Sequence, residues 1–311
     1  MNIDFHTHGK LAKYLAFSPA YTDWLFGEAA SAGLDAICLT EHFNTLGFDQ
    51  VYADIAARFP REGDAFNVNG LLVFPGMEVD VAESGHTLVL GTMEEILDFN
   101  RALEPHKAKG SFLPLAELAE EVRRRGLFFG AAHPFRAPGR IPEQPREALA
   151  AFQFVDLNGK DLAHDFEGTI AKTYAFAQEL GVPVVSGSDT HQAFQYGCAV
   201  TVMGERVTTV AGLRAQVLSG DYRISYASDL AFKVKTAGML KRALKEIARR
   251  GAHHQPYCRE AARVPSAVDS RRGGEPRHLR GHGVAVRAPC GVRRFQDAEE
   301  CCRGALAGAR G

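Results

Sequence analysis

The sequence predicts an α/β fold, either a barrel or a doubly wound sheet, and two features of residues 1–250 predict it. Short apolar runs of strand length alternate with amphipathic stretches of helical period. Glycine and proline stand where these helices are expected to begin and end. A series of βα units of this kind favours a sheet whose strands are connected through helices.

Seven apolar runs have the length and composition of buried strands. They are Asn2 to Phe5, Ala36 to Leu39, Leu71 to Phe74, Thr87 to Leu90, Leu127 to Ala131, Phe154 to Leu157 and Val182 to Val185. Ser18-Pro19 is typical of an N-cap followed by proline at the first helical position, and Gly33 is expected to end that helix. Two further helices, Leu115 to Arg125 and Phe166 to Leu180, are each followed by a glycine.

The composition of the 311-residue chain describes a globular protein without a strong charge bias. Apolar residues make up 46% of the chain, enough for a substantial core. Lys and Arg number 36 against 37 Asp and Glu, which gives no reason to expect duplex nucleic acid or an anionic membrane as the main partner. There is neither an uninterrupted apolar run of about 18 residues nor a signal-peptide pattern, so we expect a cytoplasmic protein.

The last part of the chain differs in composition from the rest. No lysine follows Lys245, and the stretch from Pro256 onward contains eleven arginines and four of the six cysteines. We therefore predict one large α/β domain over residues 1–250 and a separate tail over residues 251–311. The tail is either a disordered basic extension or an out-of-frame translation of a GC-rich sequence. Cys38 and Cys198 stand in apolar stretches and are expected to be packing residues, without a disulfide framework.

Histidines and carboxylates fall at the C-terminal ends of the predicted strands. Those that follow an apolar run within a few residues are His6, His8, Glu41, His42, Glu78, His133, Asp189 and His191. His86 is the exception, because it precedes its strand. Taken singly, a histidine here can also be a hydrogen-bonded core or loop residue. Barrel enzymes, however, assemble their active sites at this face from several strands, so the joint placement indicates a functional site.

The residue types at these positions are those of a metal site. His6 and His8 are two residues apart in an extended segment, so their imidazoles point the same way and can bind one ion. Glu78 follows a run interpreted as a buried strand, where a carboxylate is costly unless a cation, a salt bridge or a helix cap meets it. Asp189 and His191 repeat the two-residue spacing. Nitrogen and oxygen ligands of this kind suit Zn²⁺, Mn²⁺ or Fe²⁺.

These motifs, in this order, resemble the polymerase and histidinol phosphatase (PHP) superfamily of metal-dependent hydrolases over about residues 1–225. The motifs are Asp4-Phe5-His6-Thr7-His8, Leu39-Thr40-Glu41-His42, Gly76-Met77-Glu78, Gly85-His86, Ala132-His133-Pro134 and Gly187-Ser188-Asp189-Thr190-His191. The resemblance implies a distorted (β/α)₇ barrel, two or three divalent ions and hydrolysis, usually of phosphoesters.

The resemblance also implies how the ions are held. One ion would be bound by His6, His8, Glu78 and Asp189, and a second by Glu78, His86 and His133, so that Glu78 bridges them. A third would use His42 and His191 with a further histidine after the first motif. This chain has no histidine there, and Lys10 and Lys13 stand in that stretch. Glu41 also replaces the aspartate that the family commonly has.

Two close metal ions explain hydrolysis, since they lower the pKa of a shared water and stabilise charge on phosphoryl oxygens. Asp189 or a neighbouring histidine would then transfer the proton. Arg136 is expected to bind the substrate phosphate in a fork geometry, with Arg140, Lys160 and Lys10 as weaker candidates. We therefore predict a phosphoesterase acting on a small phosphorylated molecule or a short nucleotide.

Two other functions would use the same residues. An amidohydrolase would direct the same water at a C–N bond, and a metal-stabilised accessory or regulatory protein would have lost catalysis at an incomplete third site. The sequence contains neither a Gly-x-x-x-x-Gly-Lys loop nor a Gly-x-Ser-x-Gly elbow. Nucleotide-triphosphate and serine-hydrolase chemistry are therefore excluded.

Overall fold

The structure is a computed structural model that describes residues 1–249, all of which belong to one compact unit. The predicted tail over residues 251–311 lies outside the described residues. None of the helices in the described part of the chain combines the length and the hydropathy that a membrane span requires.

Eleven strands and nine helices form within residues 1–249. The strands are β1 (Asn2–Thr7), β2 (Ala36–His42), β3 (Arg61–Glu62), β4 (Ala65–Val68), β5 (Leu71–Val81), β6 (Gly85–Leu90), β7 (Phe128–Ala132), β8 (Phe154–Asn158), β9 (Val184–Gly187), β10 (Ala199–Met203) and β11 (Tyr222–Tyr226). The helices are α1 (Pro19–Ser31), α2 (Phe48–Arg58), α3 (Met93–Ala102), α4 (Leu115–Arg125), α5 (Arg146–Leu149), α6 (Gly159–Leu162), α7 (Phe166–Leu180), α8 (Val210–Ser219) and α9 (Leu230–Arg249).

The seven strands predicted from the sequence form the barrel. They lie side by side in the order β1-β2-β5-β6-β7-β8-β9. The residues after β9 then return to β1, where the Asp189 amide donates to the His6 carbonyl at 2.7 Å and the His8 amide donates to the Thr190 carbonyl at 3.0 Å. These bonds nearly close the sheet on itself, so the predicted distorted (β/α)₇ barrel is confirmed.

The distortion has a visible cause at β1. Its first residues pair antiparallel with β10, through Asn2 with Val202 and Ile3 with Thr201, and β11 extends the sheet beyond β10. The segment that follows β9 therefore bonds to β1 only near the C-terminal end of β1. Gly187 allows this close approach, because a Cβ at that position would lie 2.4 Å from the Cβ of His6.

The direction of β6 also departs from a strict βα repeat. It runs antiparallel to both β5 and β7, with His86 opposite Asp80 on one side and Ala132 on the other. The start of β6 therefore lies at the same end of the barrel as the C-terminal ends of its neighbours. This reversal explains why His86 precedes its strand in the sequence and still shares a face with the other candidate ligands.

Several strands extend further than the apolar pattern predicts. β5 continues to Val81 rather than ending at Phe74, so Glu78 lies within the strand. Leu72, Phe74 and Glu78 share one face because strand side chains alternate. Leu72 and Phe74 join a buried apolar cluster, while Glu78 lies further along the strand. Glu78 can be buried within the strand because polar side chains of other strands contact its carboxylate.

The predicted helix boundaries and packing residues agree with the structure. Gly126 and Gly181 follow α4 and α7 as C-caps in the left-handed region, each with φ of 68°. The Ser18 side chain caps α1, with Pro19 at its first turn. Cys38 and Cys198 are fully buried free thiols, as expected for packing residues.

Candidate metal centre

The eight predicted ligands meet at one end of the barrel. Four lie in strands β1, β2, β5 and β6, and the other four, His8, His133, Asp189 and His191, follow β1, β7 and β9 within a few residues. His6 and His8 are fully buried, and Glu78 and Asp189 are 1% and 4% exposed. His86, which precedes its strand in the sequence, lies at the edge of the cluster, and its side chain is 32% exposed.

Glu78 lies at the centre of this cluster. Its Oε1 is 2.8 Å from His86 Nδ1 and 3.1 Å from His133 Nε2. Its Oε2 lies 2.8 Å from His42 Nδ1, 3.4 Å from His8 Nε2 and 3.5 Å from His6 Nε2. Burial alone would raise the pKa of Glu78, but the surrounding histidines hold it well below its ordinary value. Glu78 is therefore an ionised carboxylate surrounded by imidazole nitrogens.

Three sets of donor atoms have the spacing of ligands around a metal ion, with all atoms in a set within 4.8 Å of one another. The sets are His6, His8 and Asp189; His6, Glu78 and His133; and His8, His42 and His191. His86 stands beside the second set, since its Nδ1 lies 3.3 Å from His133 Nε2. The structure thus brings together all eight residues that the sequence singled out.

His8 belongs to the third set, where the sequence lacks the further histidine of the family. Its ring stacks on that of His191 with centroids 4.0 Å apart. Lys10 is directed away from this position, because its ammonium donates to Thr45 Oγ1 at 3.0 Å and to the Leu46 carbonyl. The phosphate-binding role considered for Lys10 therefore finds no support in its contacts.

Asp189 connects the cluster to two positively charged side chains. Its Oδ1 lies 3.3 Å from His8 Nε2 and 2.7 Å from Lys160 Nζ, and its Oδ2 accepts from Arg136 Nη1 at 2.6 Å. Burial alone would raise the pKa of Asp189, but Lys160 and Arg136 hold it well below its ordinary value. Asp189 and His133 both adopt positive φ, 53° and 30°. Such backbone strain in non-glycine residues concentrates at functional sites.

Arg136 is placed differently from the expected phosphate fork. Its Nε donates to Asp161 Oδ1 at 2.8 Å, its Nη1 to Asp189 Oδ2 at 2.6 Å and its Nη2 to Asn158 Oδ1 at 2.6 Å. Every guanidinium nitrogen already has an acceptor on the protein. The geometry favours a positioning role, in which Arg136 orients Asp189, over direct binding of substrate.

Three carboxylates outside the predicted set support the cluster. Asp156 Oδ2 lies 3.0 Å from His6 Nδ1, and Asp80 Oδ1 lies 2.9 Å from His86 Nε2. Asp4 Oδ1 accepts from the Ser188 amide at 2.8 Å, next to Asp189. Partners of this kind fix the orientation of ligand side chains. Their sequence signal is a lone carboxylate inside an apolar strand, which is costly unless it is paired.

The donor set fits divalent ions because buried polar atoms converge without satisfying one another. His6 Nε2, both ring nitrogens of His8 and Glu78 Oε2 are buried and form no hydrogen bond within residues 1–249. Unsatisfied polar atoms are costly and uncommon in protein interiors, and here they belong to residues of the three donor sets. Burial lowers the pKa of His42 and of His133 to about 4, so both imidazoles are neutral, as ligation requires.

Metal binding should release protons from two other histidines. Burial alone would lower the pKa of His6 and of His86, but the Glu78 carboxylate is the first of the groups that raise each to about 10. Both are protonated near neutral pH in the metal-free protein, and each must lose its proton to ligate an ion. We expect release of about two protons per chain on metal binding, and a metal affinity that rises steeply with pH.

Calorimetric titration with Mn²⁺ in two buffers of different protonation enthalpy measures this release. His86→Gln should lower the proton count by about one, whereas His164→Gln, at an exposed histidine outside the cluster, should leave it unchanged. A binding heat that is independent of the buffer would contradict the expectation.

Solved structures of other proteins share the fold. PsfC from Pseudomonas syringae superposes with a TM-score of 0.63 at 22% identity, covering 78% of this chain and 98% of that one. A lesion-specific endonuclease from Pyrococcus furiosus gives 0.54 at 18%, covering 72% and 57%. Endonuclease Q in complex with a 27-mer duplex substrate containing an abasic lesion gives 0.54 at 17%, covering 71% and 57%. At these identities the likeness establishes the fold, and the chain spans little more than half of the two endonuclease chains.

A family model described as PHP-associated matches residues 171–222, which include Asp189 and His191. No sequence among the curated proteins matches the chain. The matched family agrees with the ordered motifs and with the barrel that the sequence predicted. The chain is therefore similar to PHP-associated sequences over residues 171–222 and shares its fold with the solved structures above.

Proposed function

We propose that the protein is a metal-dependent phosphoesterase that acts on a small phosphorylated molecule or a short nucleotide. The observation that carries this proposal is the gathering of six histidines and two carboxylates in one cluster, which contains three donor sets and several buried atoms without hydrogen-bond partners. Their nitrogen and oxygen donors suit Zn²⁺, Mn²⁺ or Fe²⁺.

The ligand assignment follows the three donor sets. His6, His8, Glu78 and Asp189 would hold one ion, and Glu78 with His133 and His86 a second, so that Glu78 is common to both. His8, His42 and His191 would hold a third. Bound divalent ions would supply the Lewis acid and the activated water that hydrolysis requires.

The remaining chemistry belongs to the side chains around Asp189. We assign Asp189 as the proton acceptor at the cluster, because its carboxylate is ionised and lies at the edge that faces Lys160. The Lys160 ammonium, 2.7 Å from Asp189 Oδ1, is placed to stabilise negative charge on a leaving oxygen. Arg136 keeps Asp189 in position from its other oxygen.

A substrate panel tests the proposed function. Protein loaded with Mn²⁺ is assayed against an aryl phosphomonoester, a bis-aryl phosphodiester and an aryl amide of the same chromophore. We expect release from a phosphoester that a chelator abolishes and added Mn²⁺ restores. Metal analysis of protein purified without added metal should give about two or three ions per chain.

Each other result of this panel identifies a different function. Cleavage of the amide alone would replace the proposal with an amidohydrolase. Binding of metal without turnover of any substrate would favour an accessory or regulatory protein. Release that a chelator does not affect would rule out the proposed chemistry.

A further inference from the structure

A small cavity lies beside the metal cluster, under the last described helix. Its volume is about 230 Å³, and its lining includes Lys160, His191, Gln192, Ala237 and Lys241. Lys160 and His191 belong to the wall that borders the cluster, since Lys160 contacts Asp189 and His191 belongs to the third donor set. Ala237 and Lys241 belong to α9, which forms the facing wall. The cavity therefore leads from the predicted reaction centre to α9.

The two lysines of this cavity differ in whether an acidic side chain pairs with them. Lys160 is paired with Asp189, whereas Lys241 has no hydrogen bond or ion pair with any residue that the structure describes. Burial, and then the nearby positive charge of Lys160, lowers the pKa of Lys241 to about 7. A half-buried ammonium beside a second cation is unfavourable, and an anionic group in the cavity would stabilise both.

The neutral lining residues indicate what else the ligand carries. Val234, Ala237 and Gly238 provide an apolar surface on α9, and Gln192 and Gln195 line the other wall. Pockets for drug-sized ligands occupy roughly 300–1,000 Å³, so this cavity suits a unit of a few carbon atoms better than a nucleobase with its sugar.

We propose that this cavity is the leaving-group pocket and that Lys241 is a specificity-determining residue. It selects small phosphoesters whose leaving group carries a second anionic group, a carboxylate or a phosphate. This inference rests on the proposed phosphoesterase function, because it assumes that the phosphoryl group lies at the metal cluster. It narrows the substrate class from phosphorylated small molecules in general to compact ones that carry a second anionic group besides the phosphoester.

Equilibrium binding of uncleavable phosphonates to the full-length, Mn²⁺-loaded protein tests the inference without turnover. Propylphosphonate and 3-phosphonopropionate have the same chain length and differ by one carboxylate, and 1,2-ethylenediphosphonate replaces that carboxylate with a second phosphonate. We expect at least one of the two ligands with a second anionic group to bind about tenfold more tightly than propylphosphonate. The one that does so identifies the second group as a carboxylate or a phosphate.

Substitutions on α9 assign the preference to Lys241. Lys241→Met should remove the tenfold advantage while leaving propylphosphonate affinity unchanged, and Lys241→Arg should retain most of it. Lys235→Met removes a charge from the same helix at an exposed position outside the cavity, so it should preserve the preference. This control separates a local contact from a change in net charge.

Three results would overturn the inference. They are equal affinity of the wild type for all three ligands, equal weakening of all three by Lys241→Met, and no measurable binding of any of them. A wild-type protein that shows the binding preference but hydrolyses no phosphoester would instead overturn the proposed function and leave the anion pocket in place.

Discussion

Glu78→Gln is expected to remove the binding of at least one divalent ion and to lower kcat/KM on the order of 10³-fold. The amide keeps the shape of the side chain but loses the negative charge that five histidines surround, the nearest at 2.8 Å. Metal analysis and turnover of an aryl phosphate measure the two effects. The substitution should also lower the pKa of His6 and of His86, because Glu78 is the first of the groups that raise each.

A proton NMR titration of the histidines separates this effect from misfolding, since a folded variant will still show dispersed signals with shifted pKa values. Glu205→Gln provides the matched control, because it makes the same chemical change at an exposed loop carboxylate. Near-wild-type metal content and turnover in Glu78→Gln would remove Glu78 from the centre of the site and would contradict its assignment as a shared ligand.

Arg136→Ala is expected to have the second largest effect, a fall in kcat of about 10²-fold with little change in KM. Loss of the guanidinium leaves Asp189 and Asp161 close together without their common partner, so Asp189 loses its orientation. The free energy of unfolding should also fall by about 2 kcal/mol, less than for a fully buried pair because the side chains are partly exposed. Arg136→Lys should recover only part of the activity, since one ammonium cannot replace three directed donors.

Steady-state kinetics and urea unfolding measure these changes, with Arg140→Ala as the control at an exposed arginine in the same loop. The division between kcat and KM distinguishes two roles. A large rise in KM for an anionic substrate, together with an unchanged kcat, would restore the direct phosphate-binding role predicted from the sequence and would contradict the positioning role.

Much of the barrel was predictable because its signals are local. Each barrel strand is a short apolar run, and helix ends such as Gly126 and Gly181 depend on backbone conformations that few other residues adopt. The spacing of His6 and His8 likewise follows from the alternation of side chains in an extended segment. For these features, neighbours in the chain are sufficient to determine the structure.

The supporting residues could not be predicted in the same way, because their roles depend on partners far along the chain. Asp156 lies 150 residues from His6, which it contacts. Arg136 was recognised as a cation near the site, but its role depends on acceptors from α6 and from the segment after β9. A charged side chain serves whichever partner the fold places beside it, and sequence spacing does not identify that partner.

The α/β class and the order of the motifs were predictable from the sequence, and the resemblance of those motifs to the PHP superfamily supplied the barrel and the eight candidate ligands. The tertiary structure decided the direction of β6, which brings His86 to the shared face, and the place of His8 beside His42 and His191. It also placed Lys241 of α9 beside a cavity next to the cluster. The physical reason is that apolar periodicity encodes which faces are buried, whereas the pairing of charges and the closure of a barrel depend on contacts formed only when distant segments pack.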